Sequence, residues 1–424
     1  MTVRTGSSRR PARIRGFGYF SRLGPAIVTG AADDDPSGIG TYSQVGAAFG
    51  FGLLWMSVVT LPLAAAVQEL AARLGLATGH GLSTSIARRY SRRVLLGAVA
   101  LVATANVFNI GADLGAMASS VRLLVPVPYT AVIVAMTAVM LALEIGVPYR
   151  SYSRVLRWLT LSLAAYVGVL FFIDVDWAHV LRAMFVPSTT MNRAELGAII
   201  AILGTTISPY LFFWQASEEV EEEEQEGVEP GSLLARRHVQ AMRGDVAAGM
   251  ASAVLVMFAI MVSSASTLHV AGVTTVQTAA QAASALAPVA GRFASLLFAL
   301  GIIGTGMLAV PVLAGSTAYA LAEAIGWNAG LSKSFRQARG FYSVIVGAMV
   351  VGLAMDFGGI DPIHGLYLAA ILNGLAAPPL ILLMLLLGND RGTMGRWRSG
   401  RLSNMIVGLA LLAMVVAPIA YLLS

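Results

Sequence analysis

The chain has 424 residues and contains no cysteine. Disulfide bonds, thiolate metal sites and thiol redox chemistry are therefore excluded. Charged residues are also scarce, at 12% of the chain, whereas a soluble domain carries about 25%. Because 57% of the residues are hydrophobic and the mean hydropathy is +0.75, the chain cannot cover a soluble surface of this size. We expect an integral membrane protein that crosses the bilayer many times.

The motifs of enzymes are missing as well. The five histidines are scattered, and none pairs with another at the spacing of metal ligands. The sequence contains no nucleophile with a neighbouring base, nucleotide-binding loop or cofactor motif, so we expect neither an enzyme nor a bound cofactor. Basic loops, rather than a nucleic-acid partner, explain the net charge of +6. No obligate protein partner is evident, and the expected contacts are the lipid bilayer and a transported substrate.

Apolar runs of about 20 residues span a bilayer as helices, and the sequence contains eleven such runs. They lie at 22–48, 52–75, 94–122, 129–148, 153–173, 196–218, 244–267, 291–323, 340–356, 363–387 and 403–423. The third and eighth runs are longer than a bilayer requires, which predicts tilted helices or helices that extend beyond the lipid.

Basic residues cluster at the N-terminus and in every second loop between these runs. The clusters lie at 4–15, 88–93, 150–157, 236–243, 333–339 and 391–401. Loops rich in Lys and Arg stay on the cytoplasmic side of a membrane. The pattern predicts a multi-pass protein of the cell membrane with a cytoplasmic N-terminus and, after eleven crossings, an external C-terminus.

Two apolar runs are interrupted at their middles, the first by Gly30 to Gly38 and the sixth by Gly204 to Tyr210. Helices unwind at such Pro and Gly residues, and paired breaks in two halves mark the substrate site of transporters built from inverted repeats. We therefore expect an all-α fold of two five-helix repeats with broken helices 1 and 6. The predicted organisation is a basic cytoplasmic segment over 1–21 and one transporter domain over 22–424, with repeats at 22–175 and 195–388 and an extra helix at 403–423.

Three consecutive carboxylates, Asp33, Asp34 and Asp35, stand at the first break, directly before Pro36. A charged side chain at the middle of a bilayer costs about 2.5–3.5 kcal/mol, so three together require a cation or an aqueous cavity. We expect Asp35 to contact a metal ion. For Asp33 and Asp34, metal contact and capping of the following half-helix both remain open, because Asp is a good N-cap.

The polar groups of the second break are the hydroxyls and freed carbonyls of Thr205, Thr206, Ser208 and Tyr210. These hydroxyls either bind the substrate or return a hydrogen bond to the carbonyl one turn earlier. All the ligands available at both breaks are oxygens. Ligation by oxygen alone favours Mg²⁺, Mn²⁺ or Ca²⁺ over Zn²⁺, Cu⁺ or Ni²⁺.

An acidic run follows the second break and contains eight glutamates between Glu218 and Glu229. One interpretation is a solvated extension of the sixth helix. The other is a vestibule that attracts cations towards the break.

Seven segments of the chain share the pattern of one transporter family. They are Gly24 to Ala26, Asp35 to Gly38, Phe51 to Trp55, Gln68 to Gly75, Leu203 to Gly204, Gly301 to Gly315 and Met394 to Trp397. Together they resemble the Nramp divalent-metal transporters, and the resemblance covers nearly the whole chain after the basic N-terminus. It implies a LeuT-like fold of eleven or twelve helices and the import of a divalent metal ion, usually coupled to protons.

The resemblance also implies a ligand set. The first-helix motif of the family, Asp-Pro-Gly-Asn, falls on residues 35–38, so the carboxylate of Asp35 stays and Gly38 replaces the amide ligand. The sixth-helix motif, Met-Pro-His, falls on residues 208–210, so a hydroxyl replaces the thioether ligand. The carbonyl ligands of the family fall on Ala32 and Thr205. The predicted metal ligands are Asp35, Asp34, Ser208, Thr205, Ala32 and Gly38.

The proton route of the family is altered in this chain. The two sixth-helix histidines fall on Tyr210 and Gln215, and the third-helix acidic pair falls on Asn109 and Ala112. Asp113 lies one turn beyond Asn109 on the same helix face, where it either replaces a lost acid or makes a packing contact. These departures look similar to the Nramp-related magnesium transporters and imply weak or absent proton coupling.

The sequence therefore predicts a secondary transporter that imports a hard divalent cation, Mg²⁺ or Mn²⁺, by alternating access with weak or no proton coupling. An alternative is a transporter of the same fold for a small organic amine or amino acid. A third hypothesis is a membrane receptor that does not transport and binds a partner through the acidic run.

Overall fold

The structure is a computed structural model that describes residues 33–147, 163–226, 233–359 and 361–424. Within these residues the protein is all-α and contains no strand. The helices of the first half are α1 (Pro36–Phe49), α2 (Met56–Thr78), α3 (Leu82–Arg89), α4 (Arg92–Leu124), α5 (Tyr129–Gly146), α6 (Ala164–Val169), α7 (Trp177–Phe185), α8 (Arg193–Thr206) and α9 (Pro209–Glu226). Those of the second half are α10 (Leu233–Ser264), α11 (Ala279–Ser284), α12 (Ala287–Ala290), α13 (Ala294–Ile325), α14 (Arg339–Asp356), α15 (Pro362–Asn389), α16 (Arg391–Met394) and α17 (Arg401–Leu423).

Nine segments of the described chain are long and apolar enough to cross a membrane. They are Met56–Thr78, Arg92–Leu124, Tyr129–Gly146, Arg193–Glu224, Val239–His269, Gly291–Ile325, Arg339–Asp356, Pro362–Asn389 and Arg401–Leu423. Each corresponds to one predicted run. The two other predicted runs, 22–48 and 153–173, lie partly outside the described residues, and their described parts contain α1 and α6. The prediction of a long third and a long eighth helix is confirmed, since α4 has 33 residues and α13 has 32.

Helix α4 lies at the centre of the bundle and packs against α13, α14 and α15. Small residues let these backbones approach closely, as is usual between membrane helices. At one crossing, a methyl group on Gly111 would lie 2.7 Å from the carbonyl oxygen of Gly352. The close packing fixes the height and rotation of α4, and with them the positions of its few polar side chains.

Helix α1 begins at the first break because its N-terminal residues cannot continue the preceding turn. Pro36 occupies the first position, where a missing N–H is tolerated, and the carboxylate of Asp35 accepts a hydrogen bond from the backbone N–H of Gly38. Most residues of α1 are buried, on every side of the helix. A half-helix surrounded by protein can carry polar groups at membrane depth.

The second break separates α8 from α9 over residues 207 and 208. Ile207 leaves the helical conformation, with φ −119° and ψ 63°, and Pro209 supplies no N–H to continue the ladder. Helix α8 lies directly against α15 at this level, because Gly204 has no side chain and meets the backbone of Ala370 and Gly374. Both predicted interruptions of the helices are therefore present in the described residues.

The acidic run that follows the second break is helical as far as Glu226, the last residue of α9. The expectation that it is solvated is wrong for Glu218, Glu219 and Glu223, which are buried. Glu221 instead accepts hydrogen bonds from the backbone N–H groups of Leu331 and Ser332. These contacts fasten the end of α9 to the loop between α13 and α14.

Candidate metal site

Asp35 lies at the first break with its carboxylate engaged on both oxygens. Its Oδ1 accepts hydrogen bonds from Ser37 Oγ at 2.6 Å and from the backbone N–H of Gly38 at 2.9 Å. Its Oδ2 accepts from Asn109 Nδ2 on α4 at 2.9 Å. The cap of α1 is therefore Asp35 itself, rather than Asp33 or Asp34. Each carboxylate oxygen keeps lone pairs beyond these bonds, so capping and cation binding are compatible.

Asp33 and Asp34 are also buried, with 1% and 6% of their surface exposed. Among the described residues, neither carboxylate oxygen of Asp33 has a hydrogen-bond partner. Oδ1 of Asp34 also has no hydrogen-bond partner there. An ionised carboxylate buried in this way costs several kcal/mol unless a positive charge is near. The first break thus gathers buried carboxyl groups that the described protein leaves without partners, which fits a cation as the missing partner.

The two breaks lie against each other. Ser37 Oγ is 3.2 Å from Thr205 Oγ1, and Tyr42 Oη is 3.1 Å from Thr206 Oγ1. A methyl group on Gly38 would lie 3.5 Å from Thr205 Oγ1, so this residue also borders the second break. The structure therefore brings together three positions that the sequence predicts as metal ligands, Asp35, Gly38 and Thr205.

Ser208 is buried at the second break and donates to the carbonyl oxygens of Gly204, at 3.0 Å, and Thr205, at 2.8 Å. Thr206 likewise donates to the carbonyl of Ile202 at 2.7 Å. Both hydroxyls thus donate hydrogen bonds to carbonyls of the preceding turn, which is one of the two interpretations that the sequence left open for the second break. A hydroxyl oxygen still has lone pairs after donating its proton, so Ser208 remains a possible neutral ligand.

The polar face of α4 lies beside the first break. Asn109 is fully buried and donates to Asp35, while its own Oδ1 has no partner among the described residues. Asp113, one turn further, is also fully buried, and neither of its oxygens is hydrogen-bonded within the described chain. The predicted shared face of Asn109 and Asp113 is therefore present.

The other predicted positions of the proton route lie along α9. Tyr210 is fully buried, and its carbonyl accepts a hydrogen bond of 2.7 Å from Ser316 Oγ. Gln215 donates to Glu219 at 2.7 Å and accepts from Gln68 of α2 at 3.3 Å. These positions carry neutral side chains in fixed contacts. The predicted carbonyl ligand at Ala32 lies outside the described residues.

Sequence reasoning missed Asn373 of α15. Its side chain is fully buried, and neither polar atom has a partner among the described residues. Asn373 lies seven residues, or about two turns, after Leu366 and so shares its helix face. Leu366 packs against Gly40 of α1. Asn373 therefore lies on the side of α15 that faces the first half-helix. A lone amide in the apolar run 363–387 was the signal in the sequence.

A family model, the Natural resistance-associated macrophage protein-like family, matches residues 26–424. The chain belongs to the Nramp family. Curated relatives include the divalent metal cation transporter MntH of Erwinia tasmaniensis, 31% identical over 295 residues and 68% of each chain. MntH of Yersinia pestis is 30% identical over 309 residues and 71% of each chain.

Solved structures establish the fold of this Nramp protein. The manganese transporter of Eremococcus coleocola superposes with a TM-score of 0.74 at 18% identity, covering 95% of this chain and 87% of the other. The nucleobase-cation-symport-1 family transporter Mhp1 superposes with a TM-score of 0.62 at 15% identity, over 94% and 89% of the chains. The predicted LeuT-like fold is confirmed.

The candidate site combines the buried carboxylates of the first break with the hydroxyls of the second. Within the described ranges, no three His, Asp or Glu side chains converge closely enough to enclose a metal ion on their own. A cation at the first break would therefore need hydroxyls, carbonyls or water beside the carboxylates. Such a mixed oxygen set is typical of sites for hard divalent cations.

Proposed function

We propose that this Nramp protein is a secondary transporter that imports a hard divalent cation, Mg²⁺ or Mn²⁺, across the cell membrane by alternating access with little or no proton coupling. The observation that carries the proposal is the cluster of buried carboxylates at the first break, set against the hydroxyls of the second. Buried carboxyl groups without partners between two interrupted helices lie where a LeuT-like transporter would hold a cation.

The proposed ligands come from both breaks. Asp35 and Asp34 supply negative charge, Ser208 and Thr205 supply neutral oxygens, and the backbone of Gly38, with that of Ala32, completes the set. All are oxygen donors, which suit Mg²⁺ and Mn²⁺ better than soft metals. A divalent ion would neutralise carboxylates that otherwise lack partners.

A partly hydrated ion fits the small residues of the site. Mg²⁺ gives up its waters reluctantly and usually keeps several of them when it binds protein. Gly38 and Ser208 occupy less volume than the amide and thioether ligands that the family resemblance implies at their positions. The space that they leave supports binding of an ion with part of its water shell.

Weak proton coupling follows from the side chains along the proposed proton route. Asn109, Tyr210 and Gln215 are neutral groups that do not exchange a proton near pH 7. Asp113 alone among these positions carries a carboxyl group. The inside-negative membrane potential, worth about 2.3 kcal/mol per charge per 100 mV, would then drive uptake of a divalent ion. The alternating basic loops support a cytoplasmic N-terminus and an external C-terminus.

Uptake by proteoliposomes tests this proposal. Purified protein is reconstituted, an inside-negative potassium diffusion potential is applied, and entry of Mg²⁺ or Mn²⁺ is followed with a trapped dye between pH 6 and pH 8. We expect the potential to accelerate uptake and the rate to change little with pH. Asp35→Ala should abolish uptake, whereas Asp174→Ala, at an exposed acid in the loop between α6 and α7, should not. Undiminished flux through Asp35→Ala, or uptake of a small amine without either metal, would contradict the proposal.

A further inference from the structure

Asp113 of α4 is a carboxyl group that the proposed ligand set leaves unused. Its side chain is fully buried, and neither of its oxygens has a hydrogen-bond partner among the described residues. Ionisable side chains inside membrane helices are costly, and those that occur usually lie on the path of a substrate or an ion. We propose that Asp113 is a second carboxylate that holds the divalent cation bound at Asp35, through water molecules that the cation retains. This inference rests on the proposed function.

The contacts one turn before Asp113 place it on the side of α4 that meets the first break. Asn109 donates its amide to Asp35 Oδ2 at 2.9 Å. Residues four apart on a helix lie one above the other on the same face, so Asp113 follows Asn109 along this side of α4. The Oδ1 of Asn109 is buried and also has no partner within the described chain. The face of α4 that contacts Asp35 thus carries an amide oxygen and a carboxyl group that are both free to accept.

The contacts one turn after Asp113 lead back to the same end of α1. Met117 continues the line of residues four apart along α4. A methyl group on Gly306 of α13 would touch the side chain of Met117 and would lie 3.3 Å from the ring of Pro36. Asp113 therefore lies between a residue that contacts Asp35 and a residue that reaches the surroundings of Pro36. Its position on α4 is beside the start of α1, where the carboxylates of the first break are gathered.

The chemistry of these groups suits a cation that keeps part of its water shell. Within the described part of the chain, no three acidic or histidine side chains converge closely enough to enclose a bare ion. Mg²⁺ usually keeps several waters when carboxylates bind it, and water can bridge two polar groups nearly as well as a direct hydrogen bond. The carboxylate of Asp113 and the Oδ1 of Asn109 would accept hydrogen bonds from such waters, while Asp35 contacts the ion.

Binding of Mn²⁺ alone to the detergent-purified protein tests this inference, with free Mn²⁺ measured by electron paramagnetic resonance. Asp113→Asn keeps the size of the side chain and removes its charge. We expect the dissociation constant for Mn²⁺ to rise about tenfold, because the affinity of such sites depends on the number of charged ligands. Asp113→Glu keeps the charge and should stay within about threefold of the unsubstituted protein. The matched control is Glu144→Gln, since Glu144 of α5 is also a buried carboxyl group without a hydrogen-bond partner among the described residues.

Two other roles of Asp113 predict different results. If its carboxyl group only packed between helices, Asp113→Glu would weaken Mn²⁺ binding at least as much as Asp113→Asn, because the longer side chain would disturb the packing more. If it only carried protons, Asp113→Asn would change the pH dependence of uptake and leave the affinity for Mn²⁺ unchanged. Either result would overturn the proposal.

Asp35→Ala separates this inference from the proposed function, because binding is measured without transport. Loss of Mn²⁺ binding in Asp35→Ala, together with unchanged binding in Asp113→Asn, would refute the role of Asp113 while the proposed function stands. Unchanged Mn²⁺ binding in Asp35→Ala would contradict the proposed function itself, and the inference would fall with it.

Discussion

The two breaks of this protein differ in what they bring to the same place. The first contributes carboxylates, of which Asp35 is engaged on both oxygens while Asp33 has no partner among the described residues. The second contributes hydroxyls, and Ser208 and Thr206 are already bonded to the preceding turn of α8. The first break thus supplies carboxyl groups that would attract a cation, and the second supplies uncharged hydroxyl oxygens. Binding strength and ion selectivity are therefore expected to reside on different helices.

The largest expected effect on uptake comes from removing the charge of Asp35, and it is compared with the loss of a neutral ligand at Ser208. Asp35→Asn keeps the size of the side chain but removes its charge, and we expect uptake to fall about 100-fold, equivalent to about 2.7 kcal/mol. Ser208→Ala removes one neutral oxygen, and we expect a loss of about threefold. Initial rates in proteoliposomes measure both. If Ser208→Ala impaired transport as strongly as Asp35→Asn, the division between the two breaks would be wrong.

A second comparison uses the glycine at each break. A methyl group on Gly204 would collide with the carbonyl of Ala370, whereas one on Gly38 would find its nearest atom, in the ring of Tyr42, at 3.2 Å. We expect Gly204→Ala to destabilise the protein by about 1–3 kcal/mol through overpacking and Gly38→Ala to cost less, because only the Tyr42 ring has to shift. Thermal unfolding in detergent measures the difference. Equal melting temperatures for both variants would show that α8 and α15 can separate.

A smaller effect should change selectivity rather than rate. Ser208→Met places a soft thioether at the second break, and thioether ligands favour softer metals. We expect the ratio of Cd²⁺ to Mg²⁺ uptake to rise about tenfold. Ser208→Leu is the matched control, because it adds similar volume without sulfur. A similar ratio in both variants would attribute the change to size alone.

The smallest effect on activity is expected from labelling variants that test the direction of the two half-helices. The chain has no native cysteine, so single substitutions report accessibility directly. Ser188→Cys, in the loop before α8, should react with an impermeant maleimide on intact cells, and Arg336→Cys, before α14, should react only after lysis. Both residues are exposed, and both variants should transport normally. The opposite labelling pattern would reverse the proposed orientation and make α1 run inward.

The breaks were predictable from the sequence because Pro and Gly act on the local backbone. Pro36 and Pro209 remove donors wherever they stand, and the apolar runs around them set the depth in the membrane. The capping residue was not predictable among three adjacent aspartates. Which of them accepts the N–H of Gly38 depends on the backbone path through the break, and the structure assigns that contact to Asp35.

Contacts between distant segments account for what the sequence did not predict. Asn373 stands out in the sequence only as an amide in an apolar run, and its position on the side of α15 that faces the first half-helix depends on how α15 packs. Likewise, Glu219 belongs to a run that looks solvated, but Gln215 and the neighbouring helices bury it. Composition identifies such residues as polar, whereas tertiary packing decides whether they meet water.

The hydroxyl pairs that join Ser37 to Thr205 and Tyr42 to Thr206 have a consequence for the empty protein. A carrier without a second ion to bring it back must return unloaded, and its two half-helices then need contacts that do not involve cargo. These pairs provide such contacts without adding charge. Under the proposed uncoupled import, we expect these pairs to hold the two half-helices together while the protein returns without cargo.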